Sequence, residues 1–140
     1  MSKWLIKSDP EEYGWSELLK EKHTLWTGVR NYQARNNMRA MKKNDDVLFY
    51  HSNLDMAIVG VCKVNHEAIP DPTANEGDWS SVEIKAVSTL KNPVTLAQIK
   101  ANKGLQQLGL VRNARLSVMA VNNEEWDILI KLSEKDFLIK

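Results

Sequence analysis

With 140 residues, 43% of them hydrophobic and 26% charged, the chain has the size and balance of a single globular domain, which argues against a fibrous or disordered architecture. Nineteen Lys plus Arg stand against 18 Asp plus Glu, a formal charge of +1, so any argument for a polyanionic partner must come from how charge is distributed. A single cysteine excludes a disulfide framework within one chain, and no stretch approaches the roughly 20 apolar residues of a membrane span.

The opening run, Met1 to Asp9, carries polar and charged residues at both ends of a very short apolar stretch, unlike a secretory signal. A cytosolic or nuclear location follows, the cytoplasm first, and a monomer is the expected state. Within that run Lys3 to Lys7 reads as a strand. Ser8, Pro10 and Glu11 then predict a tight turn leading to a short helix around Ser16 to Glu21. Asn31 is placed to cap a helix that starts at Tyr32, with Ala34, Met38 and Met41 on its apolar side. Asp46 to Ser52 and Ala57 to Val64 are apolar on both faces and predict central strands, the second carrying Cys62 as a buried, inert thiol. Pro70, Pro72 and Gly77 mark an irregular loop. In Ser81 to Val87, buried-type Val82, Ile84 and Ala86 alternate with Glu83 and Lys85, the period of a strand with one wet face. Thr95 with Gln98, and Asn122 with Glu125, have the spacing of capping boxes, the second leading a stripe of Trp126, Leu129 and Ile130. Leu116 to Val121 predicts a fifth strand. The fold class that follows is α+β: a twisted mixed barrel of about five or six strands with short peripheral helices, in one domain spanning residues 1 to 140.

Three constellations carry chemistry. The segment from Trp26 to Lys43 contains Arg30, Arg35, Arg39, Lys42 and Lys43 and no acidic residue, a charge of five in a chain of almost none. Arg35, Arg39 and Lys42 form a stripe about 100° around the helix from the apolar side, suited to phosphates or simply to water. Beside them Trp26, Asn31, Tyr32, Gln33, Asn36 and Asn37 supply flat rings and amides, which stack on bases and read their edges. The second constellation is Tyr50, His51 and Ser52 at a strand end, where His51 is a general base, a hydrogen-bonding group of a binding site, or a satisfied structural histidine. A metal role is disfavoured because no Cys or His lies at ligand spacing. The third is Arg112, Asn113, Arg115 and Ser117, where an arginine holds a phosphate or pairs with Glu124 or Glu125. Of the five tryptophans, Trp4, Trp15 and Trp126 suit a core, whereas Trp26 and Trp79, beside turns, suit stacking. Neither a phosphate-binding glycine loop nor a zinc deaminase signature is present, and no cofactor is called for.

These motifs, in this order, resemble the EVE domain family: Trp4 to Tyr13, Trp26 to Ser52, Ile58 to Val61, the Pro70-Asp71-Pro72 loop with Trp79, and Arg115 to Val121 with Trp126. One departure is Asn44-Asp45 where the family more commonly has Gly-Asp. The resemblance implies a PUA-like fold, related to ASCH domains and to YTH readers of methylated adenine, and a non-enzymatic binder of a modified base in RNA or DNA. Carried over residue by residue, it implies a pocket of Lys7, Ser8, Trp26, Asn31, Tyr50, His51, Ser52, Arg115 and Ser117. Arg30, Arg35, Arg39 and Lys42 are the expected phosphate contacts. The alternatives are an enzyme acting on a nucleotide or modified base, with His51 as general base, or a small-molecule-binding or protein-interaction module.

Overall fold

The computed structural model describes residues 1–134. Six strands form one mixed sheet in the order β2-β5-β4-β3-β1-β6. They are β1 (Lys3–Ser8), β2 (His23–Trp26), β3 (Asp46–His51), β4 (Ala57–Pro70), β5 (Ser80–Thr95) and β6 (Val118–Val121), with β1 and β3 parallel and every other neighbour antiparallel. Trp4, Leu5 and Ile6 of β1 and Val47 to Tyr50 of β3 are buried, as strands covered on both faces must be. The helices are α1 (Trp15–Glu21), α2 (Tyr32–Ala40), α3 (Leu96–Ala101), α4 (Gly109–Arg112) and α5 (Asn123–Glu134), with a short 3₁₀ turn at Lys103–Leu105. None of the described helices is long and apolar enough to cross a membrane.

The sheet curls around α2. Four strand intervals separate β5 from β6, about 19 Å in a flat sheet, yet α2 touches both. Asn37 Nδ2 donates to Val118 O on β6 at 2.8 Å, and Arg39 Nε donates to Ser80 Oγ on β5 at 2.8 Å. A helix about 10–12 Å across therefore fills the gap between the sheet's two ends. Register shifts at several places along the long β4–β5 ladder supply the bending this requires.

Local signals in the sequence explain the helix ends. Asn31 Oδ1 accepts Ala34 N–H at 2.9 Å, and Ala34, Met38 and Met41 are buried as the apolar side predicts. Thr95 and Gln98 exchange their capping bonds, Thr95 N–H to Gln98 Oε1 at 2.8 Å and Gln98 N–H to Thr95 Oγ1 at 3.2 Å. Asn122 and Glu125 do the same at 3.0 and 2.7 Å. Asn44 has φ of 74°, the left-handed turn conformation that glycine adopts freely and asparagine tolerates. The Asp45 carboxylate after it is buried and accepts from Trp4 Nε1, Lys42 N–H and Ser2 N–H, tying the turn to β1.

Some bounds differ from expectation. β4 and β5 run on to Pro70 and Thr95, because they pair with each other beyond the apolar core, where polarity hides the strand pattern. β2 was not expected: its four residues are half-buried or exposed and have no run of their own.

Candidate functional site

A cavity of about 410 Å³ opens at one end of the sheet, within the size range of small-ligand sites. Its wall comes from three separate pieces of chain: Lys7 to Tyr13 where β1 turns toward α1, Thr24 to Asn31 from β2 to the start of α2, and Ser117 just before β6. The ladder aligns the first and last, since Lys7 N–H donates to Ser117 O at 2.9 Å.

Aromatic rings form part of the lining. Trp26, half-buried, meets Tyr13 edge to face at 6.0 Å between centroids and rests on the core ring of Phe49 at 5.7 Å. Tyr13 donates its hydroxyl to Glu21 at 2.5 Å, and burial together with that carboxylate pushes its phenol up to about 12, so it stays neutral. Polar groups of both signs lie among the rings. The Lys7 ammonium donates to Ala114 O at 2.7 Å, and burial lowers its pKa. An ammonium has three donors, so capacity remains for a ligand. Ser8 is spent locally, its hydroxyl donating to Tyr13 O at 2.5 Å. Asn31, which borders the cavity, commits its oxygen to capping α2 and keeps its amide N–H groups for a further partner. Asp9 and Glu12 bring acceptors, and Thr24 and Thr27 bring hydroxyls.

A buried carboxylate shapes the rim. Asp71, whose side chain is fully buried, accepts from Gly28 N–H at 2.8 Å, Arg30 Nη1 at 2.9 Å, Thr73 N–H at 2.8 Å and Thr73 Oγ1 at 2.7 Å. Burial pushes its carboxyl up, but the bonds from Gly28, Thr73 and Arg30 outweigh this and hold it at about 2. Gly28 has φ of 83°, a conformation that strains other residues, so this turn belongs to glycine. Asp71 thereby fastens the Gly28–Arg30 rim to the loop that precedes β5.

The expected site residues divide. Lys7, Ser8, Trp26, Asn31 and Ser117 share the cavity, and Arg30 lines its edge. Tyr50, His51, Ser52 and Arg115 do not line it. Tyr50 is buried in the core. His51 Nε2 accepts Trp15 N–H at 3.1 Å, which places the ring proton on Nδ1, donated to Asp55 at 3.0 Å. Both ring nitrogens are therefore engaged within the protein. Ser52 and Arg115 are exposed, and Arg112 turns to Gln107 Oε1 at 2.7 Å, not to Glu124 or Glu125. The basic stripe lies outside the cavity. Arg39 pairs with Asp78 at 2.6 Å, and Arg35 Nη1 donates to Asp78 O at 3.0 Å, while Lys42 is exposed. Arg30 and Arg39 thus serve the Asp71–Ser80 loop, whereas Arg35 has no carboxylate partner among the described residues. Cys62 is fully buried, and burial pushes its thiol far up. Among the described residues no group of three or more His, Cys, Asp or Glu is arranged to hold a metal.

The wall also includes residues the sequence did not single out: Asp9, Glu12, Tyr13, Thr24 and Thr27. Tyr13 and Thr27 lay within recognised motifs, but Thr24 belongs to the unexpected β2.

Comparison with known proteins adds a further finding. The family model described as the EVE domain matches residues 2–132. Thymocyte nuclear protein 1 of Homo sapiens is 34% identical, the match covering 96% of this chain and 75% of that one. A crystal structure of a protein from Agrobacterium tumefaciens superposes with a TM-score of 0.92 at 42% identity, covering 96% of this chain and 94% of the other. The human THYN1 protein, crystallised in complex with DNA containing 5-methylcytosine, gives 0.90 at 33% identity, covering 97% and 99%. A YTH domain from Zygosaccharomyces rouxii shares the fold at a TM-score of 0.62 and 14% identity, over 98% of this chain and 90% of that one.

Proposed function

The chain belongs to the EVE domain family, and from that premise we propose that it is a nucleic-acid-binding reader that holds a modified base in the cavity between β1, β2 and Ser117. The observation that carries this reading is the cavity itself, where rings and unspent polar groups from three distant pieces of chain meet. The human relative's complex with 5-methylcytosine-containing DNA makes that base the first to test. DNA and RNA are both within the proposal.

The base leaves its stack, at a cost of a few kcal/mol in a duplex and less in a single strand. Trp26 stacks on it, a contact worth about 1 to 3 kcal/mol. The Lys7 ammonium and the Asn31 amide donate to ring nitrogen and carbonyl acceptors, and Ser117 closes the wall. Asp9 or Glu12 accepts from an exocyclic amine, as carboxylates accept from cytosine N4. Arg35 and Lys42, whose charges no carboxylate among the described residues offsets, meet flanking phosphates and add affinity without sequence choice. Tyr50, His51, Ser52 and Arg115 act behind or beside the wall in this reading, and Arg30 and Arg39 act through the loop they hold. His51, the general base of the enzymatic alternative, lies outside the cavity and has both nitrogens engaged. We place the protein in the cytoplasm or nucleus, where nucleic acid is accessible, a point for fractionation to decide.

The test is a fluorescence titration with single-stranded oligonucleotides identical except for one central cytosine or 5-methylcytosine, run beside mass spectrometry of nucleosides captured from total cellular nucleic acid. Preference for one modified base, lost in Trp26→Ala, supports the reading. Equal binding of modified and ordinary bases throughout, with no nucleoside enriched, sinks it.

A further inference from the structure

Outside the cavity, Tyr32 and Trp79 lie nearly parallel, 20° apart with centroids 5.0 Å apart. Trp79 and the Arg35 guanidinium both lie over the Tyr32 ring, yet Tyr32 remains 67% exposed, which leaves ring surface open to water. Core packing does not require such an arrangement: a phenol ring on a helix's first turn gains little burial there. Its place is telling. Asn31, the preceding residue, lines the cavity, and so does Arg30, whose guanidinium lies 5.6 Å from the Trp79 ring. The Arg35 guanidinium stands 5.0 Å from the Tyr32 ring and 5.7 Å from that of Trp79.

We propose that the Tyr32–Trp79 pair is a second base-binding platform, taking on the open ring surface of Tyr32 the nucleobase next to the one in the cavity. This rests on the cavity being a base site. A flat open ring accepts any base face, which suits a neighbour that is held but not read. Charge selects the occupant. Asp71 is paired with Arg30 and Asp78 with Arg39, while the Arg35 cation has no carboxylate partner among the described residues and remains to meet the phosphate that joins the two nucleotides. The same cation opposes a methylated lysine or a basic peptide, and a parallel ring pair is not a cage around an ammonium group.

The experiment uses the intact chain and single-stranded DNA pentamers with a central cytosine or 5-methylcytosine, bearing either a normal or an abasic nucleotide on each side in turn. Binding is read by fluorescence anisotropy, with free 5-methylcytidine titrated in parallel. Loss of one flanking base is expected to weaken binding about 5- to 150-fold, as for one lost stack. Tyr32→Ala is expected to weaken the intact pentamer by a similar factor and to remove its sensitivity to that abasic site, while Tyr32→Phe restores both. Tyr32→Ala weakens the pentamer more than the free nucleoside. Tyr32→Ala that binds the pentamer like wild type, or that stays sensitive to each abasic flank, overturns the platform. Wild type indifferent to the central methyl group but sensitive to flanking bases points instead to failure of the cavity reading. A pentamer that does not bind at all overturns both.

Discussion

Two polar and aromatic clusters stand out in the molecule, and they differ in one respect. Around His51, Trp15 and Gly60, every group has a partner: Trp15 N–H binds His51, Trp15 Nε1 donates to Thr89 Oγ1 at 2.9 Å, and Asp55 takes the remaining imidazole proton. Around the cavity, partners run short, with donors left on Lys7 and Asn31 and acceptors left on Asp9 and Glu12. The lesson is that residue type does not separate a site from a support. A histidine at a strand end has the chemistry of a site, but a closed set of hydrogen bonds makes it structural. Groups that fold without spending their hydrogen bonds have capacity for a ligand.

That contrast can be broken by mutation. The largest effect is expected at Gly60→Ala, where the new methyl group would overlap the Trp15 indole lying on β4. It should destabilise the fold by about 3 kcal/mol in urea denaturation. The penalty should shrink in a Trp15→Leu background. Next comes Trp26→Ala, which should lose about 1 to 3 kcal/mol of oligonucleotide affinity by titration. If it lost stability alone, the cavity would join the structural cluster and the distinction would vanish.

Asp71→Asn should cost about 2 kcal/mol, and the cost should depend on pH. A carboxyl held at about 2 in the folded state protonates near pH 4 when unfolded. Its contribution is complete above about pH 4 and is lost as pH falls through 4 toward 2. Denaturation across pH 2 to 6 should therefore show a shallower acid dependence in the variant. His51→Ala should cost about 1 kcal/mol of stability through the freed Trp15 N–H, with base preference retained. A variant that kept stability but lost discrimination would move His51 into the site. Smallest in free energy at physiological salt is Arg35→Gln with Lys42→Gln, which should weaken all oligonucleotides alike and flatten the salt slope by about 1 to 2.

Much of this was legible in the linear chain because the signals are local. The caps at Asn31, Thr95 and Asn122 bond within three residues, so composition at fixed spacing reports them directly. The Asn44 turn and the alternation in β5 belong to the same class. Family motifs extended this reach to Lys7, Ser8, Trp26, Asn31 and Ser117, which the cavity unites. β2 escaped because a four-residue strand half in water carries too little periodicity, and with it went Thr24.

What lay beyond the sequence was partnership at long range. An arginine bears the same charge whether it faces water or a carboxylate 41 residues away, so nothing near Arg30 in the chain foretells Asp71, nor anything near His51 its acceptance of the Trp15 N–H 36 residues earlier. Packing decided both, by bringing the Asp71–Ser80 loop against α2 and Trp15 of α1 over β4. Periodicity records which face of an element is apolar; which polar groups remain available after the faces meet is settled only by packing, because hydrogen bonds saturate and each donor can be spent once.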